Sequence, residues 1–133
     1  MTAWFADTFF FIALLSKNDS AHEKAVEYTK RLSPGLLTTP WVLTEVADAM
    51  AEPARRSQFV DLLEFLRSHP RASITDADQN LFERGVARYV TRLDKPWSLT
   101  DCISFVTMEQ HGVHEALTGD HHFEQAGFVA LLK

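Results

Sequence analysis

The stretch Trp97-Ser98-Leu99-Thr100-Asp101-Cys102-Ile103-Ser104-Phe105-Val106-Thr107-Met108 constrains the fold more than any other part of this chain. Cys102, Ile103, Phe105, Val106 and Met108 cover too much of a helical circumference for a half-exposed helix, so the spacing predicts a helix that passes through the core. Ser98 stands three residues before Asp101, the spacing of a capping box, in which two side chains satisfy each other's free backbone N–H groups. Asp101 is thus a charge at the mouth of a buried element. Taken alone, it reads as a helix cap.

The segments around this helix alternate between short apolar runs and amphipathic stretches. Trp4-Phe5-Ala6 ends at Asp7 and turns into Thr8 to Leu15, as a buried strand feeding a helix would. Ala21 to Leu32 is a surface helix stopped by Ser33-Pro34-Gly35. Leu36 to Thr39 is a second strand. Pro40 opens the next helix, because a proline at the first helical position loses only an N–H that had no partner. Its apolar face is Trp41, Val42, Val46, Ala49 and Met50, with Glu45 inside or beside that stripe and Asp48 turned to solvent. Pro53 to Arg56 is a turn, and Phe59, Val60, Leu62, Leu63 and Leu66 carry a helix to His69-Pro70. Ala72 to Thr75 is a third strand. Asp76 or Asp78 caps a helix bearing Leu81, Phe82, Val86 and Val90, which Lys95-Pro96 closes. Glu115 to Thr118 is a fourth strand, Gly119 to Phe123 a loop, and Gly127 to Leu132 a last strand. Short apolar strands alternating with helices indicate α/β architecture, three layers, with a parallel sheet covered on both faces.

Length places the 133 residues in a single domain, 1–133, large enough to fold around one core without staples. No apolar run approaches the roughly 18 residues of a membrane span. The apolar start is interrupted by Asp7 and lacks a basic flank, so it does not read as a signal peptide. The single cysteine, Cys102, excludes an internal disulfide and fits a reducing, cytoplasmic compartment. A formal net charge of −5 is the wrong sign for nucleic-acid binding by bulk electrostatics. Excess acid means either a solvated surface or carboxylates that converge on a cation.

Position favours convergence. Open parallel sheets put their sites at the carboxyl ends of the strands. Asp7 and Asp120 fall just past strand ends, Asp101 at a helix N-terminus, and Glu45 on the helix directly after the second strand. Each has an ordinary role on offer: Asp7 and Asp101 as caps, Glu45 as an edge residue, Asp120 as a turn aspartate. Together they would repel one another unless a hard divalent cation, Mg²⁺ or Mn²⁺, sat between them. Such a centre can polarise a phosphate oxygen and lower the pKa of a bound water.

Asp7-Thr8 after an apolar strand, Thr44-Glu45-Val46, Ser98-Leu99-Thr100-Asp101-Cys102-Ile103-Ser104-Phe105, and Leu117-Thr118-Gly119-Asp120-His121-His122-Phe123 closing on Gly127-Phe128 resemble the PIN domain, and within it the small ribonucleases of the VapC toxin type. The resemblance runs from Asp7 to Leu132, and the last two motifs are its specific part. It implies a Mg²⁺- or Mn²⁺-dependent endoribonuclease on a mainly parallel sheet of about five strands. It also implies an acidic metal site of Asp7, Glu45, Asp101 and Asp120, Asp7 and Asp101 ranking first as ligands. Thr8, Ser98 and Thr100 would support a bound water or a carboxylate. The implied reaction is hydrolysis by metal-activated water that leaves the new phosphate on the 5′ side of the cut. The implied partners are RNA, a small antitoxin and a second copy of the chain in a homodimer. The runs Phe9-Phe10-Phe11 and Phe59 to Leu66 hold apolar surface that would serve the last two.

Other residues carry weaker signals. His121-His122 lacks the spacing of zinc motifs, as does His22-Glu23, so a surface or RNA-facing role is expected. Cys102 reads as a packed thiol rather than a nucleophile. Arg55, Arg56, Arg84, Arg88, Arg92 and Lys95 could line a phosphate groove with Trp97 as a stacking surface, or be solvated helix faces. Two other functions compete. A catalytically silent PIN scaffold has no need of mutually repelling carboxylates. A receiver-type or aspartate-phosphatase site would need paired acids that Asp7-Thr8-Phe9 lacks.

Overall fold

The computed structural model describes residues 3–133. Five strands form one sheet in the order β3-β2-β1-β4-β5, every pair parallel. They are β1 (Trp4–Ala6), β2 (Leu36–Thr38), β3 (Ala72–Ile74), β4 (Glu115–Leu117) and β5 (Val129–Ala130). Parallel neighbours require crossovers, and seven helices supply them: α1 (Thr8–Leu15), α2 (His22–Thr29), α3 (Pro40–Ala49), α4 (Arg56–Ser68), α5 (Gln79–Thr91), α6 (Leu99–Gln110) and α7 (His121–Gln125). The three residues of β2, and two of three in β1 and β4, are buried, as strands covered on both faces must be. The architecture is the three-layer α/β/α sandwich that the alternation predicts.

The expected centre of the chain is its centre in space. In α6 every residue from Cys102 to Met108 is buried, and Ser98 and Asp101 form the capping box reciprocally. Phe105 packs edge-on against Trp97 and Phe123, with ring centroids 5.0 Å apart in each pair. α5 lies close along α6 because Gly85 offers no side chain where Ile103 passes; a Cβ there would stand 3.2 Å from the Ile103 Cα. Thr39 caps α3 by accepting from the Val42 N–H, with Pro40 at the start of the helix. Of the two candidate caps for α5, Asp78 is the one used, accepting from the Leu81 N–H at 2.7 Å.

Several boundaries differ from expectation. His121–Gln125 is a short helix rather than loop, because Asp120 caps it through the His122 N–H at 2.9 Å. The last strand shrinks to Val129–Ala130, and Pro53–Arg55 is a 3₁₀ turn. On α3, Ala49 is exposed and Leu43 is buried, so the apolar face is rotated from the expected one. No helix among the described residues is long and apolar enough to cross a membrane.

Candidate active site

All four predicted acids line one open cleft of about 370 Å³ at the carboxyl edge of the sheet, with Thr8, Phe9, Pro96, Ser98 and His122 completing its wall. β1 delivers Asp7, β4 and the turn after it deliver Asp120, and the capped end of α6 delivers Asp101. Glu45 reaches in from the second turn of α3. Three larger hollows elsewhere hold no comparable set of acids.

Asp7 is the buried member, 5% exposed. It occupies the N-cap position of α1, yet its side chain makes no cap bond. Instead Oδ2 accepts from the Thr118 hydroxyl at 2.9 Å. Burial first, then the charge of Asp101, push its carboxyl up to about 7; the Thr118 hydroxyl and the Thr8 N–H pull the other way, and Asp120 adds a smaller push upward. Asp101 keeps its helix-capping role and lines the cleft at once. Its Oδ2 accepts from the Ser98 N–H at 3.2 Å and from His122 Nδ1 at 3.1 Å, so the imidazole is a donor there. Burial raises the Asp101 carboxyl too, opposed by those two partners. Glu45 accepts the Thr8 hydroxyl on Oε1 at 2.6 Å. Asp120 is more open than Asp101, with Oδ1 3.5 Å from His122 Nδ1.

Of the supporting residues, Thr8 and Ser98 bond directly to acids, while Thr100 bonds to none of them among the described residues. Two partners were not assigned from sequence. Thr118 joins Asp7 to the turn that carries Asp120, since its Oγ1 also accepts from the Asp120 N–H at 3.0 Å. His122 stands between Asp101 and Asp120 because α7 is helical, which no residue spacing in a presumed loop would suggest.

An all-oxygen donor set at the mouth of a cleft, with one carboxyl held up to about 7 by burial and by the charge of Asp101, fits a hard divalent cation. Asp7, Glu45, Asp101 and Asp120 would hold it. Among the described residues, the donor group whose ligating atoms all lie within 4.8 Å of one another is Asp120, His121 and His122. No trio of the four acids closes that far among the described residues. This trio offers three ligands rather than four and His121 is exposed, so it is not a closed structural zinc site.

The expected RNA contacts are corrected in part. Trp97 is 5% exposed, packs on Phe105, donates to Gln125 Oε1 at 3.1 Å and carries Arg92 over its ring, so it is not a stacking surface. Arg88 is paired with Glu109 and Arg92 with Asp94. Arg56 donates to the Ala51 carbonyl. Phe10 and Phe11 are core residues, leaving only Phe9 of that run half-exposed. Cys102 is buried, and burial raises its thiol pKa, as a packed and unreactive cysteine requires.

Comparisons with known proteins bear on the fold and the family. The fold is similar to that of the sarcin-ricin loop cleaving toxin VapC20 of Mycobacterium tuberculosis, with a TM-score of 0.86 and 24% identity over 97% of this chain and 98% of that one. It is also similar to the promoter-bound VapBC2 of Rickettsia felis (TM-score 0.66, 12% identity, 96% of this chain and 95% of that one). A third likeness is to FitAcB of Neisseria gonorrhoeae (TM-score 0.61, 18% identity, 95% and 94%). No curated protein matches by sequence. The PIN domain family profile matches residues 5–129, from β1 to β5 and through all four acids. This chain belongs to the PIN domain family.

Proposed function

We propose that this protein is a divalent-metal-dependent endoribonuclease, and that it is the toxin of a toxin–antitoxin pair. The observation that carries the reading is the convergence of Asp7, Glu45, Asp101 and Asp120 on one cleft, with Asp7 too poorly compensated to ionise at its ordinary pH. A purely structural cluster would be arranged to relieve that conflict. Here it is left for a ligand. A bound Mg²⁺ or Mn²⁺ would supply Lewis-acid polarisation of the phosphate and a more acidic water.

The chain's own residues do the rest. Asp7 and Asp101 rank first as ligands, each fixed through one oxygen, Oδ2, by protein donors. Thr8 fixes Glu45 and Thr118 fixes the turn of Asp120, so each carboxylate is oriented before substrate arrives. His122 holds the same Asp101 oxygen that accepts from the Ser98 N–H. The open cleft admits an unpaired strand, and no covalent intermediate is required.

The toxin part of the reading rests on the likeness to VapC20 and to the VapBC2 structure. A small antitoxin is the expected protein partner, a homodimer the expected assembly, and the cytoplasm the expected compartment. Purified protein is incubated with total cellular RNA and with a synthetic sarcin-ricin loop, in Mn²⁺, Mg²⁺ or EDTA, beside Asp101→Asn, which keeps an acceptor for the Ser98 N–H. Metal-dependent fragments that vanish in the variant support the nuclease. Absence of cleavage by a folded protein under every metal would instead favour a silent PIN scaffold.

A further inference from the structure

Phe9 is the half-exposed aromatic residue at the acid cleft. It is 37% exposed, while its neighbours Phe10 and Phe11 are in the core. An apolar ring among carboxylates contributes little to stability there, since much of its surface stays in water. Its position is nonetheless fixed. The tip of the ring abuts the backbone of Gly119, where a Cβ would stand 2.5 Å from Phe9 Cζ and 2.9 Å from Cε1. Gly119 has no unusual φ to explain its identity, so the requirement is space for the ring. The turn behind it is held on both sides, by the Thr118 bonds to Asp7 and to the Asp120 N–H and by the Asp120 cap of α7. The ring is therefore braced at its tip against a hydrogen-bonded turn, and it lines the acid cleft while part of it stays in solvent.

We propose that Phe9 is a platform on which one nucleobase flanking the scissile phosphate stacks, and that Gly119 exists to seat it. The inference rests on the nuclease reading and adds a substrate-binding residue to it. Charge supports a nucleobase as the occupant. The cleft wall is acidic and would repel phosphate except through the metal, so the strand needs an uncharged contact beside the metal, and a flat π-face supplies one. Trp97, the stacking surface that sequence offered, is buried, and Arg88 and Arg92, offered for phosphates, are paired with Glu109 and Asp94.

The test uses the full chain and a short single-stranded RNA spanning a mapped cleavage site. Phe9→Leu keeps an apolar contact with Gly119 and removes the ring; Gly119→Ala keeps Phe9 and displaces it. Both should raise KM on the order of tenfold, the size expected for one lost base–aromatic stack. Binding is then measured in the Asp101→Asn background with RNAs in which one base at a time is removed. One position should cost the Phe9 protein about tenfold and the Phe9→Leu protein almost nothing, because the contact is already gone. Equal KM in all three proteins, or identical abasic losses with and without the ring, overturns the proposal while wild-type cleavage leaves the nuclease standing. Weakened capture of a protein partner with RNA binding unchanged also overturns it, assigning the ring to a protein contact. A wild-type protein that neither binds nor cuts RNA removes the nuclease reading and the platform together.

Discussion

Thr118 donates its hydroxyl to Asp7 Oδ2 over 2.9 Å although 111 residues separate them in sequence. The bond joins the ends of two adjacent parallel strands, β1 and β4, which are paired in register from Trp4 with Glu115 to Ala6 with Leu117. One hydroxyl thereby serves two acids, since it also accepts from the Asp120 N–H. Thr118→Val should destabilise the protein by about 1–3 kcal/mol by leaving buried polar groups unpaired. It should also raise the Asp7 carboxyl further, because a bond that favours the ionised form is lost. Urea unfolding at pH 6 and pH 8 reads both effects.

The buried Asp7 carboxyl makes the metal-free protein sensitive to pH. Its pKa is about 7 in the folded chain against an ordinary 3.8. Between those values the unfolded chain gives up its proton first, so stability falls as pH rises and levels off above about 7. The loss is on the order of a few kcal/mol. Asp7→Asn should flatten this slope, raise Tm in EDTA at pH 8, and abolish RNA cleavage. Adding Mn²⁺ at pH 8 should raise the wild-type Tm and scarcely move that of the variant. Thermal melts from pH 4 to 8, with and without the ion, measure each of these; a Tm that drops sharply in Asp7→Asn would mean the acid is structural.

Gly85 sets how closely α5 lies on α6. Alanine favours a helix over glycine by roughly 1 kcal/mol, but its Cβ would collide with the fully buried Ile103, whose Cα is on the same line of approach. Overpacking of this kind costs about 1–3 kcal/mol, so the clash wins. Gly85→Ala should lower Tm by several degrees, readable by calorimetry.

Ser98 closes the capping box and holds Asp101 through its own N–H. Ser98→Ala should cost about 1 kcal/mol of stability through the lost cap. Cleavage should fall only moderately, since the backbone N–H and His122 continue to hold the Asp101 carboxylate. A loss as complete as that of Asp101→Asn would show that the hydroxyl itself serves the reaction.

Sequence alone determined the elements whose causes are local. Ser98 and Asp101 are three residues apart, Thr39 directly precedes Pro40, and Asp7 follows a three-residue apolar strand; caps, helix starts and strand ends are set within such distances. The apolar girth of residues 102–108 announced the core helix for the same reason, and the family resemblance identified the four acids. Tertiary structure decided what the parallel crossovers bring together from afar. It placed Thr118 on Asp7, His122 between Asp101 and Asp120, and Phe9 on Gly119. It also buried Trp97 and paired Arg88 and Arg92, residues that looked free in sequence. Contacts of this kind depend on strand order and on helix rotation about the sheet. Neither leaves a periodic trace in the chain.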